Sequence, residues 1–241
     1  PYAHSEARVL RKLKQDRLKT GMPVSLAGTK AWLRAVGEHL GVEERRVERL
    51  IKHETGRIKQ LFELAHRRLR GRRFAVFAEA PRAAGLVATL MEAGMTPVTI
   101  GVLHFSLGGR AAVEKILRDN HDLEVPSFTR WLEDPTPEQV RALTEPMRSR
   151  TGPRDRDRGQ DQHRGEGSDT DDGRPPAVVG YEHADVAIGT TIERELLADG
   201  EVPWVEMGFP SENHHCLFPS PWIGFNGVLH TLQRVMQALE R

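Results

Sequence analysis

From Arg73 onward the chain alternates between two textures that a folded protein can combine in few ways. Arg73-Phe-Ala-Val-Phe-Ala78 is a compact apolar run of strand length, and Pro81 then opens a helix through Leu86, Val87, Leu90 and Met91. Gly94 closes that helix, where a left-handed cap suits glycine. Thr96–Val102 reads as the next strand and Arg110–Arg118 as the next helix. Strand, helix, strand, helix at this spacing calls for a parallel sheet, because a parallel neighbour needs a crossover long enough to hold a helix. Asp122–Phe128 is read as a third strand, and Asp134-Pro-Thr-Pro-Glu138 as the cap of a short helix to about Leu143.

Upstream, residues 4–19 carry apolar positions among many basic ones, the pattern of an amphipathic helix that Gly21-Met-Pro23 breaks. Met22–Leu26 is read as a short extended segment, and Gly28-Thr29 as a helix entry with Thr29 as N-cap. Helical spacing follows to Gly41 and again over Glu43–Leu69, where the basic residues read as a solvated face. Residues 148–176 hold no aliphatic side chain, so they cannot bury enough surface to offset chain entropy and are expected to be disordered. His163 within them reads as a solvated loop histidine. Order is expected again from Ala177. Ala184–Thr191 reads as a strand ending in a Gly-Thr-Thr turn, Ile192–Leu197 as a helix, Pro203–Met207 as a strand and Gly227–Leu239 as a closing helix. The organisation is a helical segment over 1–21, a central lobe over 22–147, a linker over 148–176 and a C-terminal α/β segment over 177–241.

Composition narrows the partners. Thirty-five Lys and Arg against 34 Asp and Glu give a net charge of +1, no electrostatic case for nucleic acid or a membrane surface. The longest apolar runs are far too short to span a bilayer. The single cysteine excludes an intramolecular disulfide, fits the cytoplasm, and excludes a four-cysteine iron–sulfur or zinc site built by this chain alone. Neither a Gly-rich dinucleotide fingerprint nor a Walker lysine pattern is present, so the chain is expected to bind no nucleotide through them.

The densest chemistry lies between Val202 and Gly227, where His214, His215 and Cys216 stand side by side in a polar loop after a short apolar run. Histidine suits proton donation near neutral pH. Cys216 reads equally as a small buried hydrophobe. Gly189, Thr190 and Thr191 occupy a strand-to-helix turn whose amides either hold an anion or simply cap the helix. In open parallel sheets ligands bind outside the carboxyl ends of the strands, where both stretches fall.

Several loose motifs then agree in order and spacing. Gly28-Thr-Lys-Ala-Trp-Leu33, Arg72–Ala78, Glu92-Ala-Gly-Met-Thr-Pro-Val98, Asp185-Val-Ala-Ile-Gly-Thr-Thr191, Val202-Pro-Trp-Val-Glu-Met-Gly-Phe-Pro210 and Gly224-Phe-Asn-Gly227 together resemble the nitrogenase component 1-type oxidoreductases. The resemblance covers most of residues 22–120 and 177–241. It implies an α/β fold of Rossmann-like lobes with open parallel sheets flanked by helices, interrupted here by the disordered charged insert.

The resemblance also implies chemistry. Counting back from Pro221 to the family's cofactor-binding histidine lands on His214, a metallocofactor ligand by that match, or else a loop histidine at a subunit interface or helix cap. In the tetrapyrrole-reducing branches this region borders the substrate pocket, where His214, His215 or Cys216 would donate a proton or contact the macrocycle. The implied protein is a subunit, or the C-terminal part of one, of a nitrogenase-like reductase. Its partners are a homologous second subunit and an ATP-dependent iron–sulfur reductase that supplies electrons. The family's cluster-binding cysteines have no counterpart before Cys216, so the iron–sulfur cluster would be held by residues outside this chain or by a partner. The alternative is a degenerate member acting as scaffold, assembly or ligand-binding subunit. A native start at Pro1 favours that alternative, and an upstream cysteine-bearing domain favours the reductase.

Overall fold

The computed structural model describes residues 18, 20–103, 109–141, 184–196, 202–208 and 220–240. Two helices lead in, α1 (Leu26–His39) and α2 (Glu44–Leu69). There follow β1 (Arg73–Ala78), α3 (Ala80–Glu92), β2 (Thr96–Val102), α4 (Gly109–His121), β3 (Arg130–Glu133) and the short α5 (Pro137–Arg141). The C-terminal part adds β4 (Val186–Gly189), α6 (Thr191–Leu196), β5 (Trp204–Glu206) and α7 (Gly224–Leu239). The N-terminal helix expected over 4–19 and the insert at 148–176 lie outside the described residues.

The five strands form one sheet in the order β3-β2-β1-β4-β5, and every pair is parallel. The expected α/β architecture therefore stands. Strands from both sides of the insert share this sheet, because β1 pairs with β2 on one edge and with β4 on the other, Phe74 facing Val186. Strand residues alternate between two cores. Phe74, Val76 and Ala78 face a large cluster with Ile100, Ile188 and Met207, covered by α3, α4 and α7. Ala75, Phe77 and Ala187 face a smaller cluster with Leu132, Val140 and the Trp204 ring. Phe77 stacks on Trp204 with centroids 6.3 Å apart. Close strand approach needs glycine twice: a Cβ at Gly101 would overlap the Phe77 ring, and one at Gly189 would come within 2.8 Å of Trp204.

Two local expectations change. Thr29 is not the N-cap of α1, and Met22–Leu26 is not extended throughout, since the helix begins at Leu26. Ser25 caps it instead, accepting from Gly28 N at 3.0 Å, while Thr29 sits inside the first turn and donates to Ser25 O at 2.6 Å. The remaining first-turn amides, Leu26 N and Ala27 N, donate to Glu92 at 2.7 and 2.8 Å, an acceptor that local sequence cannot reveal. The third strand is Arg130–Glu133 rather than Asp122–Phe128. Pro126 has no amide to give a ladder, and Thr129 N turns back to Pro126 O at 3.0 Å. The side chain of Thr129 then donates to Pro97 O at 2.9 Å, fixing where β3 starts.

Candidate functional site

With β1 and β4 adjacent, the chain leaves the sheet toward opposite faces at their carboxyl ends, α3 to one side and α6 to the other. This is the switch point at which open α/β sheets form a crevice. Glu79 and Arg82 enter it from the end of β1 and the start of α3, and Gly189-Thr190-Thr191 from the end of β4. Gly208 follows β5, and Trp222 precedes α7. Gly208 has φ +153, and a Cβ there would meet Thr190 Cγ2 at 2.8 Å and Arg82 Nη1 at 3.1 Å. The glycine thus leaves room for the Thr190 side chain after β4 and the Arg82 side chain of α3 beside the backbone that follows β5.

The Gly-Thr-Thr turn is built as a reciprocal capping box. Thr190 N donates to the Glu193 carboxylate at 2.9 Å, as does the Thr190 hydroxyl, and Ile192 N donates back to Thr190 Oγ1 at 3.2 Å. Thr191 Oγ1 donates to Glu206 at 2.9 Å, and Arg194 reaches the same carboxylate at 3.3 Å. Glu193 and Glu206 are both buried. The amides of Thr190 and Ile192 therefore already have internal partners, and an outside anion would compete with a buried carboxylate there. Arg194 is thus engaged with Glu206, and Arg82 faces this edge from α3. Its guanidinium lies 5.9 Å from the Trp222 ring centroid and 3.6 Å from Glu79, and its buried Nη1 makes no hydrogen bond with any described residue. Nothing in the sequence singled out Arg82, whereas the Thr-x-x-Glu spacing of 190 and 193 was a readable signal.

His214, His215 and Cys216 lie outside the described residues. They follow Gly208, which ends at this crevice, by a few residues in sequence. Among the described residues no group of three or more His, Cys, Asp or Glu side chains is placed to hold a metal ion, and none of those residues is a cysteine. The described donor set therefore does not fit an iron–sulfur cluster.

A second polar cluster lies at the opposite, amino end of the sheet, which sequence reasoning missed. Ser25 Oγ and His121 Nδ1 are 3.0 Å apart beside the Glu92 carboxylate that caps α1. His121 and Glu92 line a cleft of about 550 Å³. Burial pushes Glu92 above the ordinary carboxyl range, against the downward pull of the Ala27 and Leu26 amides. Burial likewise lowers His121. Ser25 holds φ +70, a strained backbone for a residue with a Cβ. No spacing could have brought these together, since Ser25 and His121 are 96 residues apart.

Fold and crevice define a doubly wound parallel α/β domain whose ligand side is the carboxyl end of the sheet. The family model described as "Nitrogenase component 1 type Oxidoreductase" matches residues 2–149, more than half of the chain. This chain belongs to that family. It is 25% identical over 226 residues to the "Nitrogenase molybdenum-iron protein beta chain" of Frankia alni, an alignment covering 94% of this chain and 35% of that protein. The chain thus spans about a third of that relative's length. The solved structure "Nitrogenase Cp1 at pH 6.5" superposes with a TM-score of 0.65 at 16% identity, covering 92% of this chain and 40% of that one. "Nitrogenase Cp1 at pH 5" gives 0.55 at 12% identity, covering 90% and 40%. The two likenesses bear on the fold.

Proposed function

We propose that this chain is part of a nitrogenase-like oxidoreductase, in which the crevice beyond β1, β4 and β5 forms one wall of the pocket that receives the substrate. The observation that carries this reading is the family match over residues 2–149. Electrons arrive from an ATP-dependent iron–sulfur reductase partner, and the cluster is held by residues outside this chain or by a homologous second subunit. The substrate is of the tetrapyrrole type. Arg82, beside Trp222, offers a cation to an acidic substituent, and the Gly189-Thr190-Thr191 turn shapes the same wall. His214, His215 and Cys216 supply protons at this edge, with His214 the candidate ligand of a metallocofactor.

The single cysteine of this sequence, Cys216, is too little to hold an iron–sulfur cluster alone and favours a second reading, a member that acts as a scaffold or assembly subunit. Both readings meet one experiment. The native assembly containing this chain is purified without oxygen and analysed for iron, for visible absorption, and for reductase- and ATP-dependent turnover of a tetrapyrrole. The reductase reading requires cluster absorption and turnover, with turnover reduced in His214→Ala. Assemblies that form but carry neither iron nor activity would establish the scaffold instead.

A further inference from the structure

Between α1 and α2, away from the switch-point crevice, lies a cleft of about 300 Å³. Lys30 and Arg34 enter it from α1, one turn apart, and Lys52 and Lys59 from α2, two turns apart. Its one acidic residue is Glu48, whose carboxylate is already bound by Arg34 at 2.6 and 3.2 Å. Lys30 and Lys52 make no hydrogen bond with any described residue, and Lys59 comes no nearer than 3.8 Å to Glu63. By contrast Lys115 on α4 is paired with Asp119 at 2.8 Å. Lys30 acts through charge on Glu48 and Glu92 without pairing with either, and like charges converging on one cleft repel each other.

The floor points the same way. Thr55 Oγ1 is buried and has no hydrogen-bond partner among the described residues, a condition that native interiors seldom leave unexplained. Beside it stands Gly56, where a Cβ would meet nothing within 4 Å. Packing does not require glycine there, and mid-helix glycine is unfavourable relative to alanine. What it does is leave the cleft open.

We propose that this cleft binds a small molecule through a phosphate group. Three lysines supply the compact point charges that suit phosphate. The Thr55 hydroxyl, turned about χ1 into the cleft, donates to a phosphate oxygen, and the open space over Gly56 admits the group. The site lies outside the crevice of the reductase reading and does not depend on it.

The test is titration calorimetry of inorganic pyrophosphate into the full chain at about 0.15 M ionic strength, where weak surface attraction is largely screened. One saturable site is expected, weakened at least tenfold in the double variant Lys52→Ala/Lys59→Ala and unchanged in Lys115→Ala. On the unmutated chain, pyrophosphate should also protect Lys30, Lys52 and Lys59 from reductive methylation, read by mass spectrometry, while Lys115 stays reactive. That second measurement decides the matter should the double variant fold poorly. Unsaturable binding, equal affinity in the double variant, or equal methylation with and without pyrophosphate would mean an adventitious ion only and overturn the proposal.

Discussion

At Glu92 a carboxylate gives both its oxygens to the first-turn amides of another helix, yet burial keeps its pKa raised above the ordinary 4.5. The folded state therefore holds a proton that the unfolded chain releases as pH rises through 4.5. Stability attributable to this group is greatest below that value and falls as pH climbs toward the folded pKa. His121 acts in the opposite sense. Its folded pKa is below the ordinary 6.5, so stability is lost as pH falls through 6.5 toward the folded value. Urea unfolding across pH 4 to 8 should show Glu92→Gln flattening the decline above 4.5, and His121→Gln flattening the loss below 6.5. Unchanged slopes in both variants would refute the assignment. Thr190→Ala should cost about 1 kcal/mol by the same measurement, because it removes the hydroxyl that pairs with Ile192 N and Glu193. That box could be read from Thr190 and Glu193 three residues apart. The Ser25, His121 and Glu92 cluster could not, since tertiary packing alone joins its members.

Among the elements, legibility followed how local the determining contacts are. β1 and β2 occupy the residues their apolar runs marked, Arg73–Ala78 and Thr96–Val102, because burial on both faces leaves a continuous signal. α2 and α3 were equally plain from periodicity and from Pro81. α1 was displaced at its start because part of its cap comes from α3, and β3 because Asp122–Phe128 has strand-like composition but a proline where the ladder needs a donor. Of the candidate crevice, the end of β4 and the turn after it were marked in the sequence, while Arg82 emerged only when β1 and β4 became neighbours. The β1–β2 pairing also carries a prediction. Gly101→Ala puts a methyl into the Phe77 ring and should destabilise the chain by about 1–3 kcal/mol, seen as a lower denaturation midpoint with an unchanged slope. A wild-type midpoint would show that Phe77 can move aside freely.

For the molecule as a whole, the central strand depends on both halves of the chain. A protein ending at residue 147 keeps β1, β2 and β3 but loses β4, β5 and α7, whose Val228, Leu232 and Val235 belong to the main core. Such a truncation should bind a hydrophobic dye and lack a cooperative thermal transition. A sharp transition in the truncated protein would instead make residues 1–147 an independent domain. The segments expected from composition divide the chain in sequence, with residues 142–183 outside the described ones. In space the strands on either side of these residues share one sheet.

The sheet order has a consequence during synthesis. β1 emerges early and finds β2 soon afterwards, but its other edge waits for Val186–Gly189. At about 5–20 residues per second the ribosome needs several seconds to deliver that partner. For that interval an apolar strand, Phe74 to Val76, presents unpaired amides and carbonyls. Neighbouring nascent chains on one message carry the same edge. Slowed translation across residues 142–183 should therefore lower the soluble yield of this protein, and a chaperone that covers extended apolar segments should restore it.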